Sequence, residues 1–181
     1  MIKVSENLYL EEILSSNSES LFNLMQEIYP LAYHHFWKDK GDWYVKTQYS
    51  EENILKELSQ KNADYYFVVF NGERIGNLRV IWDEKLSGIM EEKQLKLHRV
   101  YLHQKTQGQG IGKQLLFWLE KKSKDKGYKI IWLDAMDVQP QAFQFYKKLG
   151  YQYHSHTFLP FENMFDEVRK MSQLYKNLFR Q

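Results

Sequence analysis

The sequence predicts a mixed α/β fold, a sheet with helices packed on both of its faces. The order of predicted elements, β-α-α-β-β-β-α-β-α-β followed by a tail, is the first observation. The second is a hairpin at Asn71-Gly72, where two apolar runs flank a pair of residues that tolerate positive φ. The third is the mostly apolar run at 128–136, which is typical of a strand buried on both faces.

Length and composition favour one globular domain and exclude several classes of function. The chain has 181 residues, so residues 1–181 are most simply a single domain. A net charge of +2 is too small to make a nucleic acid the main partner. Without a cysteine, the chain has no disulfide, thiolate zinc site or cysteine nucleophile. The first residues contain no long apolar run, so we expect no signal peptide, no membrane partner and a cytoplasmic protein.

The first half of the chain predicts two helices separated by an aromatic segment. The first helix starts near Ser18 and carries an apolar stripe, and Pro30 is expected to end it. Residues 33–49 are rich in aromatic side chains and predict irregular structure. The second helix begins after Ser50, whose hydroxyl is a suitable N-cap.

The second half of the chain alternates strands and helices. The run at 94–102 predicts a strand, and the helix after its glycine-rich connection is closed by Gly127. Pro140 in the first turn and Gly150 after the last delimit another helix, and 151–158 predicts a strand. The apolar residues of the tail recur at helical spacing: Phe165, Val168, Met171, Tyr175 and Leu178. Periodicity alone therefore predicts a helix in the tail.

Three glycines at alternate positions, Gly108, Gly110 and Gly112, precede a predicted helix. Helix N-termini expose unpaired N–H groups, and glycines leave room for a bulky anion to reach them. The stretch predicts either a phosphate or pyrophosphate site or a flexible turn, and the pattern alone does not separate the two. Lys113 stands where a dinucleotide-binding fingerprint needs its third glycine, and the residues around Gly112-Lys113 do not match a P-loop.

A change of phase in the preceding strand predicts a β-bulge. Leu95 and Leu97 share one parity, whereas Val100 and Leu102 have the other, so an inserted residue is expected around 98–99. The alternative is that Arg99 is merely an amphipathic edge residue.

A bulge at this point would also open the sheet. If the buried strand 130–135 is the neighbour, the two strands would separate past the bulge and leave a free edge for an extended ligand. The free edge, the glycine loop and the helix start would suit a ligand with a peptide-like arm and a pyrophosphate. Coenzyme A has both.

Two segments within residues 95–151 resemble the GNAT superfamily of acetyl-CoA-dependent N-acetyltransferases. Gln107, Gly110 and Gly112 match the phosphate-loop pattern of that family, Gln/Arg-x-x-Gly-x-Gly/Ala. The later run QPQAFQFYKKLGY is similar to the family's Asn-Pro-x-Ala-x-x-Leu/Phe-Tyr segment, with Gln139 in place of the asparagine.

The resemblance implies a V-shaped, mixed and mostly antiparallel sheet with acetyl-CoA as the co-substrate in its opening. It implies that Val100 and Leu102 offer backbone groups to the pantetheine arm. The residues whose amides would hold the pyrophosphate are Gln107, Gly108, Gln109, Gly110, Ile111, Gly112 and Lys113. It also implies a last strand, so we expect a strand at 169–176, after a short helical turn at 162–167, against the helical period of the tail.

The family's chemistry is direct attack of an amine on the thioester, which implies roles for several groups. Tyr146 would protonate the departing thiolate and, with Gln139, would contact the cofactor. His98 is the expected base, because many relatives have a glutamate at this position; the alternative is a strand histidine that faces solvent or a polar neighbour. The amide of Val100 or of a nearby strand residue would polarise the carbonyl.

The acceptor is expected to contact the aromatic segment. Phe36 and Trp37, with Asp39 and Asp42 close by, favour a cationic acceptor: a small amine, a polyamine, a peptide N-terminus or a lysine. The alternative is a cluster that only packs helices together.

His154 and His156 share one face of the last predicted strand before the tail. We expect them to line the acceptor pocket. Two histidines without a third ligand are too few for a metal site, so no metal is expected.

The leading hypothesis is transfer of an acetyl group from acetyl-CoA to a primary amine of a small, polyamine-like molecule or of a peptide. The alternatives are a regulatory module that binds acetyl-CoA without catalysis and a protein-interaction domain. The oligomeric state is left open between a monomer and a homodimer.

Overall fold

In the computed structural model, which describes residues 1–179, the chain forms one eight-stranded sheet with α-helices on both faces. The strands are β1 (Ile2–Lys3), β2 (Leu8–Glu12), β3 (Ala63–Phe70), β4 (Glu73–Trp82), β5 (Gln94–Leu102), β6 (Ile130–Met136), β7 (Gln152–Phe158) and β8 (Lys170–Asn177). The helices are α1 (Ser18–Tyr33), α2 (Asp42–Gln48), α3 (Glu51–Leu58), α4 (Ile111–Asp125) and α5 (Pro140–Lys148). The predicted α/β class is confirmed. No helix within 1–179 is both long and apolar enough to cross a membrane.

The sheet is V-shaped because two central strands pair over only part of their length. The strand order is β1-β2-β3-β4-β5-β6-β8-β7, and every neighbouring pair is antiparallel except β5 with β6. The β5–β6 pairing runs from Gln94 opposite Ile130 to Leu97 opposite Leu133, although both strands continue further. The predicted separation of these strands is therefore confirmed.

The two faces of the sheet carry separate apolar clusters. Alternation along β3 sends Tyr66 and Val68 to a cluster with α4 and α5, and Phe67 and Val69 to a cluster with α1, α2 and α3. Because both faces are covered, β3 is apolar along most of its length rather than alternating with polar residues.

The bulge predicted in β5 is confirmed. Arg79 pairs with Arg99 and the next residue, Val80, pairs with Leu97, so His98 is the extra residue. The change of apolar parity along β5 has this cause.

Local turn signals are also confirmed. Asn71 and Gly72 have φ of 51° and 82°, and Phe70 pairs with Glu73 across this two-residue hairpin. The Ser50 hydroxyl accepts a hydrogen bond from the Asn53 amide at 3.2 Å and caps α3 as predicted.

The predicted end of the first helix is wrong, because α1 continues past Pro30 to Tyr33. The carbonyls of the last turn receive donors from elsewhere: His34 Nδ1–H donates to Pro30 O at 2.9 Å, and Gln104 Nε2–H donates to Leu31 O at 2.6 Å. These contacts supply donors to carbonyls of the last turn, which the end of a helix leaves without intrahelical partners.

The aromatic segment 33–49 is not wholly irregular, because it contains α2. Asp39 accepts hydrogen bonds from the amides of Gly41 at 3.1 Å and Trp43 at 2.8 Å, at the start of this helix. The carboxylate thus satisfies amides that a helix start leaves unpaired.

The tail forms the strand expected from the family resemblance, not the helix expected from its period. β8 at Lys170–Asn177 lies between β6 and β7 and matches the expected 169–176. A 3₁₀ turn at Asp166–Val168 precedes it, later than the turn expected at 162–167. Pairing with two neighbouring strands outweighs the local periodicity.

Candidate functional site

A cleft of about 290 Å³ lies where β5 and β6 separate. Its walls come from α1, α2, β5, β6 and α5, and from the segment that links β7 to β8. Strands that diverge leave main-chain groups unpaired on their facing edges. The cleft therefore combines free main-chain groups with side chains from several elements.

Beyond Leu97, the edge of β5 that is turned away from β4 faces this cleft. His103 N–H donates to Ile75 O at 2.8 Å, so the odd-numbered residues at this end of β5 direct their main-chain groups toward β4. By alternation, the N–H and C=O groups of Val100 and Leu102 point away from β4 and into the gap.

The loop before α4 presents a run of main-chain donors without acceptors. None of the six amides at 108–113 has a hydrogen-bond acceptor among the described residues, and the next amide, of Gln114, donates to Gly110 O at 3.1 Å. Gly108 and Gly110 have φ of 79° and 71°, which side chains disfavour, and a Cβ on either would meet no atom within 4 Å. The glycines thus shape the loop and leave open space around its amides.

Two residues of the predicted phosphate loop differ from the others: Gln107 in its main-chain amide, and Gly112 in the space around it. Gln107 N–H donates to Gln104 O at 3.0 Å, so this amide is already used and does not belong to the free run. A Cβ on Gly112 would lie 3.3 Å from Phe145 Cζ, so this glycine allows α4 to pack closely on α5.

Tyr146 lies on α5 and lines the cleft. Its ring packs edge-on against Phe145 and Tyr151, with centroids 5.2 and 5.6 Å away. Its hydroxyl has no hydrogen-bond partner within residues 1–179, and burial raises the pKa of the Tyr146 phenol well above its ordinary value. The side chain is therefore a fixed, protonated donor at the cleft.

His98 also lines the cleft, but its surroundings do not support the predicted role as a base. Arg79 Nη1–H donates to His98 Nδ1 at 2.7 Å, which occupies the lone pair of the neutral ring and puts its proton on Nε2. Burial, and then the positive charges of Arg99, Arg79 and Lys96, lower the pKa of His98 to about 2. The imidazole is therefore a neutral donor that takes up a proton only with difficulty.

A buried network of charges, which the sequence analysis missed, lies beside His98. Arg99 Nη2–H donates to Glu57 Oε1 at 2.8 Å, and Arg79 Nε lies 3.7 Å from Glu57 Oε2. Burial raises the pKa of Glu57, and the charges of Arg99 and Arg79 oppose that shift. Two buried guanidiniums thus share one carboxylate, and this side of the cleft carries an uncompensated positive charge. The one sequence feature that indicates this network is Arg79, a charged residue inside an apolar strand.

An ion pair lies at the vertex of the V and was also missed. Lys96 Nζ is 2.7 Å from Asp134 Oδ2, and both side chains line the cleft with less than a fifth of their surface exposed. Lys96 also lies 4.3 Å from the centre of the Trp132 ring, and Gln173 Nε2–H donates to Asp134 Oδ1 at 3.3 Å. Among the described residues that line the cleft, Asp134 has the only carboxylate.

Phe36 and Trp37 line the cleft, but they are also buried in the apolar cluster under α1 and α2. Trp37 Nε1–H donates to the Tyr29 hydroxyl at 3.0 Å, and the rings of Tyr29 and Tyr44 are stacked with centroids 4.3 Å apart. Because these rings cover one another, the arrangement favours the packing alternative for much of the aromatic segment.

The carboxylates that favoured a cationic acceptor do not line the cleft. Asp39 holds the start of α2, and Asp42 pairs with Lys46 at 2.6 Å on the surface. The electrostatic part of that interpretation therefore has no support at these two positions.

His154 and His156 lie on β7, the edge strand, and do not line the cleft. His154 Nε2–H donates to Ser87 O at 2.7 Å, and His156 Nδ1 lies 2.8 Å from the Tyr153 hydroxyl. This placement does not support their predicted role in the acceptor pocket. Within residues 1–179, no group of three or more histidine and carboxylate side chains is arranged to hold a metal ion.

Gln139 precedes α5 and lines the cleft. Its side chain does not cap the helix, and Gln139 Nε2 lies 3.5 Å from Ala32 O in the last turn of α1. The residue thus connects α5 to α1 at one end of the cleft.

Comparison with known proteins adds a family and a fold. The model of the acetyltransferase (GNAT) family matches residues 19–151. An uncharacterized N-acetyltransferase in the pepI 3′ region of Lactobacillus delbrueckii subsp. lactis is 25% identical over 117 residues, 64% of this chain and 68% of that protein. The family match contains the bulged strand, the glycine loop and Tyr146.

Solved structures share the fold at low identity. RimL, a ribosomal L7/L12 α-N-protein acetyltransferase in complex with coenzyme A, has a TM-score of 0.74 at 15% identity, over 97% of each chain. A spermidine N-acetyltransferase chimera of SpeG from Vibrio cholerae and hSSAT has a TM-score of 0.69 at 15% identity, over 96% of each chain. These two proteins differ in the acceptor that their names give, so the fold does not fix the acceptor.

Proposed function

The chain belongs to the acetyltransferase (GNAT) family, and we propose that residues 1–181 form a single N-acetyltransferase domain. In this proposal it transfers the acetyl group of acetyl-CoA directly to a primary amine of a small molecule or a peptide. The observation that carries the proposal is the run of six free amides at 108–113, next to the free edge of β5.

The residues of the loop fit a diphosphate. Free N–H groups at the start of α4 carry partial positive charge, and the open space at Gly108 and Gly110 lets phosphate oxygens approach them. The carbonyl of Val100 and the main-chain groups of Leu102 would pair with the amide groups of the pantetheine arm, as an added strand would. When bound, acetyl-CoA supplies the activated acyl thioester.

Two groups of this chain would then act on the thioester. The Val100 amide, which points into the gap, would donate a hydrogen bond to the carbonyl oxygen as negative charge develops there. Tyr146 would give its proton to the thiolate as the bond between carbon and sulfur breaks. The raised pKa of Tyr146 keeps its hydroxyl protonated at neutral pH, so the donor is present when the thiolate forms.

Incubation of the purified protein with acetyl-CoA and a panel of amines tests the proposal. We expect thiol release that depends on the amine, with an equal amount of acetylated amine detected by mass spectrometry. Thermal stabilisation by acetyl-CoA without turnover of any amine would instead support a non-catalytic acetyl-CoA-binding module. Neither stabilisation nor turnover would contradict both and leave an interaction domain.

A further inference from the structure

Direct transfer to an amine requires a group that takes the first proton of the acceptor ammonium. Most other titratable groups near the cleft are unsuited to accept this proton. Glu57 does not line the cleft, and the Nδ1 lone pair of His98 accepts from Arg79. Burial raises the pKa of Tyr33 to about 12 and that of Tyr101 well above its ordinary value, so both phenols stay protonated.

Asp134 remains, and its position suits the task. It follows Leu133, which forms the last β5–β6 pair, so its side chain lies where the strands separate. It lines the same cleft as Val100 and Tyr146. An ionised carboxylate offers about four lone-pair directions, and Lys96 and Gln173 occupy two of them. Asp134 can therefore accept further hydrogen bonds from an ammonium group.

Within residues 1–179, the cleft offers one carboxylate to an acceptor, and its net charge is already positive. Lys96 already balances Asp134, and Arg79 with Arg99 exceeds Glu57 by one positive charge. No other carboxylate lines the cleft within the described part of the chain. A second ammonium on the acceptor would meet an excess of positive charge in a partly desolvated site, which is unfavourable.

We propose that the acceptor is a monoamine with a single ammonium group, and that Asp134 binds this group and takes its first proton. This inference rests on the proposed function and narrows its substrate class.

The proton balance of the step is complete. A carboxylate oxygen of Asp134 accepts one proton from the ammonium, and the neutral amine uses its lone pair to form a bond with the thioester carbon. The bond between carbon and sulfur breaks, and the sulfur leaves with the electron pair and receives the Tyr146 proton. The second nitrogen proton restores Tyr146, and Asp134 releases its proton to solvent. The products are the amide, free coenzyme A and one proton.

The positive surroundings assist this step. Like charges nearby disfavour an ammonium and so favour loss of its proton. Arg79 and Arg99 together carry one more positive charge than Glu57 can balance. This excess charge would therefore help an amine at Asp134 to lose its proton and reach the neutral form that attacks.

The experiment compares acceptors and variants in one assay of thiol release. The acceptors are phenethylamine and an amino-acid amide, each with one ammonium, a short peptide with a free N-terminus, and spermidine. For the wild type, we expect kcat/KM for the best monoamine to exceed that for spermidine by roughly tenfold or more, because like charges repel.

Asp134→Asn removes the proton acceptor and keeps the shape of the side chain. We expect it to lower kcat/KM for the monoamine by about 100-fold, which is typical for loss of a general base. Asp134→Glu keeps a carboxylate and should recover part of this loss. The matched control is Asp137→Asn, since Asp137 pairs with Lys170 at 2.9 Å and does not line the cleft. The control should stay within about twofold of the wild type.

Thermal stabilisation by coenzyme A, measured for each variant, shows that the variant is folded and that its loop is intact. Equal activity of Asp134→Asn and Asp137→Asn, or a wild-type preference for spermidine, would overturn the inference and leave the proposed function standing. Absence of wild-type turnover with every amine would overturn both.

Discussion

The two sides of the cleft differ in the groups that they offer to a ligand. On the loop side, which comprises residues 108–113 and the edge of β5 beyond Leu97, these groups are main-chain amides and carbonyls. On the acceptor side, which comprises the cleft-lining residues of α1 and α2 with Arg99 and Asp134, they are side chains. Main-chain groups are left free only where glycines and a bulge allow it, so the loop side leaves a pattern in the sequence. The acceptor side is assembled from distant positions and leaves almost none.

The largest effect is expected for Gly110→Glu on the loop side. A side chain at φ of 71° is strained, and its carboxylate would stand beside amides that we assign to a diphosphate. Strain and repulsion together should weaken coenzyme A binding by about 1,000-fold or more, measured by isothermal titration calorimetry.

The matched control is Gly127→Glu, just past the other end of α4. Gly127 has φ of 79° and open space around it, so this variant carries the same backbone strain at a position outside the loop. It should keep its affinity for coenzyme A. Equal losses of affinity in the two glycine variants would mean that the loop side does not hold the diphosphate.

The next effect is on the acceptor side, where Glu57→Gln leaves two buried guanidiniums without a counter-charge. Removal of one partner from a buried ion pair should lower the free energy of unfolding by about 3 kcal/mol, measured by urea denaturation. Glu11→Gln, which breaks the half-exposed pair with Arg74, should cost less than about 1 kcal/mol. Similar losses in the two variants would show that burial of the Glu57 network matters little.

Tyr146→Phe tests whether Tyr146 protonates the departing thiolate. Loss of the hydroxyl should lower kcat by about 100-fold, as expected for a general acid, while coenzyme A affinity changes little. Tyr151→Phe is the control, because its buried hydroxyl has no hydrogen-bond partner within residues 1–179 and its ring packs beside Tyr146. An unchanged kcat in Tyr146→Phe would remove the acid role.

The smallest effect concerns the pH dependence of stability. The pKa of His98 is lowered from 6.5 to about 2, so the unfolded chain binds a proton below about pH 6.5 that the folded chain does not. The stability from the neutral ring is present above pH 6.5 and is lost as pH falls. Between pH 7.5 and pH 5, the wild type should lose about 2 kcal/mol more unfolding free energy than His98→Gln.

Exposed His35 provides the control for this titration. Urea denaturation at the two pH values should give His35→Gln the same pH dependence as the wild type. If His98→Gln lost as much unfolding free energy as the wild type between pH 7.5 and pH 5, His98 would not be held neutral in the fold.

Local signals predicted most of the fold. The hairpin at Asn71-Gly72, the cap at Ser50 and the bulge at 98–99 each depend on a few neighbouring residues, and the structure confirms all three. The end of α1 could not be predicted, because donors such as Gln104, far along the chain, satisfy its last carbonyls. The tail strand contradicts its own helical period and was expected only through the family resemblance.

The candidate site likewise contains some residues that a short segment predicts and others that only the fold brings together. The glycine spacing predicted either a turn or a phosphate site, and the family resemblance chose between the two; Gly108 and Gly110 do have the positive φ that favours glycine. The pair of Lys96 with Asp134 exists only because parallel register brings β5 beside β6, and no short segment contains that information. The family resemblance suggested His98 as the base, but Arg79 on the neighbouring strand occupies its lone pair.

The most direct test follows each backbone amide of the ¹⁵N-labelled protein by NMR during titration with coenzyme A. We predict that the largest shift changes occur at the amides of 108–113, with further changes at Val100 and Leu102. Unchanged signals at these amides, with saturable shifts elsewhere, would contradict the claim that free main-chain donors bind the cofactor.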